Sequence, residues 1–120
     1  MRILRIAHVN LAVEALEPAR AFYADVLGME PAERPADAGT RPGAWFRVGA
    51  FELHMSEEPG VDNASSRRHV ALEVDDLGAA RARLVAAGCT PEAGRPLPGI
   101  DRFFVRDPSG NRLELYAPIR

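Results

Sequence analysis

Apolar and polar residues alternate along His8-Val9-Asn10-Leu11-Ala12-Val13, with Val9, Leu11 and Val13 on one side and His8, Asn10 and Ala12 on the other. A period of two marks a strand with one face against a core. The pattern returns in His69-Val70-Ala71-Leu72-Glu73-Val74. After each run the period becomes helical. In the first half Pro18 suits an early helical position, Phe22 and Val26 stand four apart, and Gly28 follows the last turn. In the second, Asp75 or Asp76 can cap, Leu77, Ala80 and Leu84 share a face, and Gly88 terminates.

The parallel continues. Trp45-Phe46-Arg47-Val48 and Phe103-Phe104-Val105-Arg106 both read as aromatic-rich strands, followed by turns at Gly49-Ala50 and Asp107-Pro108-Ser109-Gly110-Asn111. Then Phe51-Glu52-Leu53-His54-Met55 resembles Leu113-Glu114-Leu115-Tyr116-Ala117. Weaker strands are predicted near residues 29–34 and 90–93, and loops at 35–44 and 94–99. Each half therefore reads strand, helix, three strands, and the fold class is α+β. Two modules, 1–56 and 67–120, are joined by a linker at 57–66. A half of about 55 residues with one open sheet face is marginal alone. Two halves, of one chain or of partner chains, must cover each other, which predicts one combined domain over 1–120.

Composition narrows the chemistry. Of 120 residues, 47% are hydrophobic and 27% charged, as in ordinary globular proteins. The net charge of −2 lacks the surplus a nucleic-acid binder uses, and no apolar run is long enough for a membrane span. All 15 basic residues are Arg, so Schiff-base catalysis and a P-loop lysine are excluded. The one cysteine, Cys89, has no basic neighbour to activate it and reads as a small buried hydrophobe after a helix. With Arg2, Arg5 and His8 interrupting any signal-peptide core, a cytoplasmic location is expected.

The polar strand faces carry the candidate chemistry. Alternation puts His8, His69, Glu52, His54, Glu114 and Tyr116 on the faces opposite the helices, and the repeat matches His8 with His69 and Glu52 with Glu114. Polar residues on a half-exposed sheet are usually just solvated. As a set, two imidazoles and two carboxylates at matched positions suit a divalent cation such as Zn, Ni, Mn or Fe(II). Arg34, Arg41, Arg95 and Arg102 lie in or beside loops and suit a carboxylate or phosphonate. Trp45 or Phe46 can wall an apolar pocket, and alternation sends the other into the core.

The runs quoted above, with Ala21-Phe22-Tyr23-Ala24-Asp25-Val26-Leu27-Gly28 and Asp107-Pro108-Ser109-Gly110-Asn111-Arg112-Leu113-Glu114-Leu115, resemble the vicinal oxygen chelate superfamily. That superfamily includes glyoxalase I, methylmalonyl-CoA epimerase, extradiol dioxygenases and the fosfomycin- and bleomycin-resistance proteins. The resemblance implies paired βαβββ modules forming an open barrel around a metal cleft, and a homodimer. It implies His8, Glu52, His69 and Glu114 as ligands of one divalent ion, with His54 or Tyr116 assisting or His54 replacing Glu52. Glu52 is preferred, because the repeat matches it with Glu114 and matches His54 with Tyr116. The shared chemistry is chelation of neighbouring substrate oxygens and stabilisation of an enediolate or oxyanion, with Glu114 or Glu52 moving the proton. A lyase or isomerase acting on a small molecule is expected, with Arg102, Arg41 and Trp45 contacting substrate. The alternatives are an Fe(II) dioxygenase using His8, His69 and Glu114, and a metal-free drug binder of the bleomycin-resistance type. Ala12 and Val13 stand where some glyoxalase I proteins carry an Arg for glutathione, which argues against that thiol.

Overall fold

The alternation of β1 (His8–Val13) lets one face meet a helix while its edge pairs in parallel with β4 (Phe51–Glu57). β3 (Gly43–Val48) lies antiparallel to β4, and the short β2 (Glu30–Ala32) closes the order β1-β4-β3-β2. The second half repeats this plan with β5 (His69–Glu73), β6 (Glu92–Ala93), β7 (Ile100–Arg106) and β8 (Arg112–Pro118), in the order β5-β8-β7-β6. The computed structural model describes residues 1–120 and divides between Val61 and Asp62 into two compact units. Each is a four-stranded mixed sheet carrying a helix, and the fold class is α+β.

In the first unit α1 (Leu16–Ala21) buries Leu16 and Ala19 and continues as a π-helical turn over Phe22–Val26, with Leu27 N–H donating to Phe22 C=O at 2.9 Å. The sequence period predicts a plain helix here. Consecutive residues on an α-helix point about 100° apart, yet Phe22 and Tyr23 are both buried and meet edge to face. The wider turn is the local accommodation of two adjacent aromatic rings. Gly28 then takes a φ of 71°, the left-handed conformation that ends the helix at little steric cost. Ala15 offers the helix no side-chain cap; instead the carboxylate of Glu57, at the end of β4, accepts the Leu16 N–H at 2.9 Å. The core beneath holds Val13, Phe46, Leu53 and Met55.

In the second unit Asp76 caps α2 (Leu77–Ala86) by accepting from Ala79 N–H at 2.9 Å. Only Leu84 of that helix is buried, and Phe103, Val105, Leu113 and Leu115 of the sheet are buried as well. The β7–β8 turn is built by Asp107, whose Oδ1 accepts from Ser109 and Asn111 N–H at 2.8 and 2.9 Å. Arg106 Nη1 donates to the carbonyls of Asn63, Ser66 and Gly110, fastening residues 63–66 to that turn. β3 starts within the predicted loop at 35–44, and β4 runs to Glu57, one residue into the predicted linker. β2 and β6 are shorter than predicted, Pro31 and Pro91 limiting what each edge can pair.

Candidate functional site

β4 and β8 are inner strands of their sheets, so their polar-face residues have neighbours on both sides. That explains what alternation alone does not: His54 and Glu114 lie opposite the helices yet are only 6% and 7% exposed. Each module buries its polar residue differently.

In the first module His54 stands across from Asn10 of β1 and Trp45 of β3. Trp45 stacks on it with ring centroids 3.9 Å apart and planes 1° from parallel, and His8 covers it at 4.1 Å and 18°. Trp45 is thus the ring on the polar face, and Phe46 the one in the core. His54 Nε2 lies 2.9 Å from Glu52 Oε1, a hydrogen bond that leaves Nδ1 as the other ring nitrogen. Asn10 and Ser56 exchange side-chain hydrogen bonds at 2.9 and 3.1 Å beside this stack.

In the second module Glu114 stands across from Ala71 of β5 and Phe104 of β7. Its Oε1 accepts from Arg102 Nη1 at 3.0 Å and lies 3.4 Å from His69 Nε2. His69 Nδ1 is 3.1 Å from the Arg67 carbonyl, which can only accept, so that contact assigns the ring proton to Nδ1. In the neutral ring Nε2 then turns a lone pair toward a carboxylate oxygen, an arrangement relieved by a proton or a cation between them. Arg102 Nε and Nη2 donate to the Arg95 carbonyl at 3.2 and 2.8 Å, so the guanidinium is held in place by its own loop. Arg112 lies over Phe104 at 3.6 Å, and His69 meets the edge of the same ring. Tyr116 is opposite Glu73 and Arg102; burial, the charge of Glu73 and a hydrogen bond to it raise the phenol's pKa.

Two sequence expectations about these residues change. Arg102 was expected at a loop rim facing substrate; it is the ion-pair partner of Glu114, because β7 extends from Ile100 and carries Arg102 into the sheet. Arg41, also expected at a rim, is exposed and offers its backbone carbonyl to Arg34 Nη2 at 2.9 Å. The second change concerns the repeat. With His8 and His69 taken as equivalent, Glu52 is across from His8 while Arg112 is across from His69. His54 and Glu114 both sit two residues further along, so the registers match His54 with Glu114 and Glu52 with Arg112. β3 and β7 agree, with Trp45 facing His54 as Phe104 faces Glu114. The resemblance of Phe51-Glu52-Leu53 to Leu113-Glu114-Leu115 is displaced from the structural repeat by two residues. Sequence reading missed Arg112 and Phe104, for which strand alternation beside Glu114 was the available signal.

No three His, Cys, Asp or Glu side chains stand in an arrangement that could hold a metal ion. Each module presents a pair: His8 beside His54, and His69 beside Glu114. Imidazole nitrogen and carboxylate oxygen are suitable donors for Zn, Ni, Mn or Fe(II), and thiolate is absent from the set. The donor chemistry of each pair suits a divalent cation.

Duplicated βαβββ modules with a His on each first strand define a protein class. A family model described as the Glyoxalase/Bleomycin resistance protein/Dioxygenase superfamily matches residues 5–115, and the chain belongs to that superfamily. It is 32% identical over 120 residues to a metapyrocatechase from Pseudomonas sp. strain CF600, covering 96% of this chain but 38% of that enzyme. It is 33% identical over 125 residues to the lactoylglutathione lyase of Salmonella typhimurium, covering 93% of this chain and 91% of the lyase. A glyoxalase family protein from Bacillus anthracis superposes with a TM-score of 0.88 at 34% identity, over 99% of this chain and all of that one. The fosfomycin resistance protein FosX from Listeria monocytogenes shares the fold, with a TM-score of 0.84 at 18% identity.

Proposed function

We propose that the protein is a divalent-metal-dependent enzyme of the glyoxalase-like type, a lyase or isomerase acting on a small molecule with neighbouring oxygens. The observation that carries this reading is the His69–Glu114 pair, in which Nδ1 is committed to the Arg67 carbonyl and Nε2 faces a buried carboxylate oxygen. His8, His69 and Glu114 would hold the ion together with a fourth group of β4, for which sequence similarity favours Glu52. The modules that supply them come from one chain or from two copies in a homodimer. When bound, the ion supplies Lewis acidity to substrate oxygens.

The chain's own residues do the rest. Arg102 orients Glu114 through Oε1, leaving Oε2 for another partner. Glu114 or Glu52 takes and returns the proton on the carbon next to a carbonyl. Trp45 offers an aromatic wall beside His54. Arg41, on an exposed loop, is a candidate contact for an anionic group.

The metapyrocatechase relative favours a second reading, an Fe(II) dioxygenase using His8, His69 and Glu114. The test is elemental analysis of the purified protein, followed by metal-by-metal assays on methylglyoxal hemithioacetals, catechols and fosfomycin. About one divalent ion per chain, lost in Glu114→Ala, with proton-transfer activity on the hemithioacetal, is the expected outcome. Ring cleavage of a catechol with Fe(II) selects the second reading. Metal-free protein binding a drug stoichiometrically overturns both.

A further inference from the structure

Two arginines of the second module stand directly opposite each other. Arg106, at the end of β7, pairs in register with Arg112, at the start of β8, and Arg112 pairs on its other side with His69 of β5. Alternation puts all three on the sheet face that carries Glu114. Like charges directly opposite on one face are destabilising, yet neither of these guanidinium groups has a carboxylate partner. Their donors are committed unequally. Arg106 Nη1 gives to the carbonyls of Asn63, Ser66 and Gly110, which fix the group without neutralising it, and its Nε and Nη2 have no acceptor. Arg112 makes no hydrogen bond. Its Cζ lies 3.6 Å from the centroid of the Phe104 ring, and a guanidinium stacked on a ring keeps its N–H donors in its own plane, free for an oxyanion. Arg102 shows the contrast within the same sheet: it spends Nη1 on Glu114 and both Nε and Nη2 on the Arg95 carbonyl.

We propose that Arg112, with Arg106 across from it, binds an oxyanion of the substrate (a carboxylate, phosphate or phosphonate) beside the His69–Glu114 pair. The site stands on the geometry of one module, and the assignment of its anion to the substrate rests on the function proposed above. Glu114 does not repel the anion strongly, because Arg102 already pairs with it at 3.0 Å and leaves the charge of Arg112 and Arg106 in surplus. The fork of Arg112 can donate two parallel N–H bonds to such a group, which fixes its orientation as well as its place. Stacking on Phe104, itself only 5% exposed, holds the half-buried fork in position before the anion arrives, so little side-chain freedom is lost on binding. An anion held there lies next to His69, whose Nε2 faces Glu114 Oε1 at 3.4 Å. The substrate class is thereby narrowed to a small oxygenated molecule that carries an anionic group.

The experiment titrates the full chain with methylphosphonate, inorganic phosphate and acetate, following the side-chain resonances of Arg112 and His69 by NMR. Four proteins are compared: wild type, Arg112→Met, Arg112→Lys and Arg5→Met. Arg112→Met keeps an apolar cover over Phe104 while removing the charge, and thermal unfolding checks that it folds; Arg112→Gln is the second variant if it does not. Arg5→Met removes the same charge from an exposed residue of the other module and controls for net charge. Expected is saturable binding of at least one anion in wild type, with shifts at both Arg112 and His69. Arg112→Met should weaken it about 10- to 100-fold, the span of a lost hydrogen bond to a charged group. Arg112→Lys, with charge but no fork, should fall between, and Arg5→Met should match wild type. Saturation by the phosphorus oxyanions alone assigns a phosphate or phosphonate to the site, and saturation by acetate alone assigns a carboxylate. No saturable binding of any of the three, or equal weakening in Arg112→Met and Arg5→Met, overturns the inference. Elemental analysis of the same samples reports on the metal-dependent reading separately: protein that holds a divalent ion but ignores all three anions overturns this inference alone, and metal-free protein that binds an anion through Arg112 keeps the site and overturns that reading.

Discussion

Each module buries a polar side chain at the matching register position of its own sheet, His54 in β4 and Glu114 in β8, and the two solve its desolvation in opposite ways. In the first, a neutral-capable imidazole is enclosed by the rings of Trp45 and His8 and hydrogen-bonded to Glu52. In the second, a carboxylate is enclosed by Arg102, His69 and the Phe104 ring, with Arg102 anchored by the Arg95 carbonyl. An imidazole can enter an apolar sandwich at modest cost, whereas a carboxylate there requires a cation and saturated hydrogen bonding. The helix layers differ as well: α1 and the turn after it bury Leu16, Ala19, Phe22 and Tyr23, and α2 buries Leu84 alone. The two modules share a backbone plan and differ in how they pack it.

The sharpest way to break the comparison is to remove the cation from the second module. Arg102→Met keeps the aliphatic volume and leaves Glu114, whose side chain is 9% exposed, without its guanidinium. Stranding one member of a buried pair costs about 3–5 kcal/mol, to be read from urea unfolding at pH 7. The double variant Arg102→Met with Glu114→Gln should recover part of that loss. A loss below about 1 kcal/mol, the range of exposed ion pairs, would show that the pair is solvent-screened and the two modules are alike.

The helix layers give a smaller contrast. Leu16 is buried in the first module and Leu77 only half-buried in the second. Leu16→Ala should cost about 2–4 kcal/mol and Leu77→Ala about half of that or less, scaling with the apolar contact each loses. Equal losses by chemical denaturation would remove the asymmetry inferred from burial.

The aromatic sandwich is worth less than the ion pair. Trp45→Leu removes the stack on His54 while keeping an apolar side chain, and should cost about 0.5–1.5 kcal/mol beyond lost area. Histidine NMR sharpens the reading: the His54 ring resonances, shielded by the indole lying 3.9 Å above them, should move downfield in the variant.

The sequence made the modules, their faces and their element order legible because periods of two and of about 3.6 are local properties of the chain. The register was not legible, and the reason is particular. Phe51-Glu52-Leu53 and Leu113-Glu114-Leu115 look alike, but the first connection between third and fourth strands is the tight Gly49-Ala50 turn, with Gly49 at φ 60°, and the second is the five-residue Asp107–Asn111 turn. A displacement of two residues leaves every side chain on its original face, so alternation carries no sign of it. Arg102 was hidden for a related reason, since only the pairing of β7 with β8 reveals that it reaches Glu114. The π-helical turn at Phe22 has no signature in the spacing of Phe22 and Val26, which suits an ordinary helix equally well.

The smallest expected effect tests how dry the thinner α2 layer is. Cys89 follows that helix, its N–H donating to the Leu84 carbonyl at 2.9 Å, and burial pushes its thiol pKa up from the ordinary range. The thiolate is the reactive form, so alkylation by iodoacetamide at pH 8 should be slower in the folded protein than in the urea-unfolded chain. Linkage gives the matching stability signature. A group whose pKa is raised by folding leaves stability unchanged while both states are protonated, below the unfolded thiol's pKa. Stability then falls as pH rises through and beyond that value, since the unfolded chain ionises first. Cys89→Ala should flatten that alkaline decline without altering stability near neutrality by more than the loss of one small, partly buried side chain. Equal alkylation rates in the folded and unfolded states would mean that water reaches Cys89 freely, and the second module's helix layer would then be open on the side where the first module's is closed.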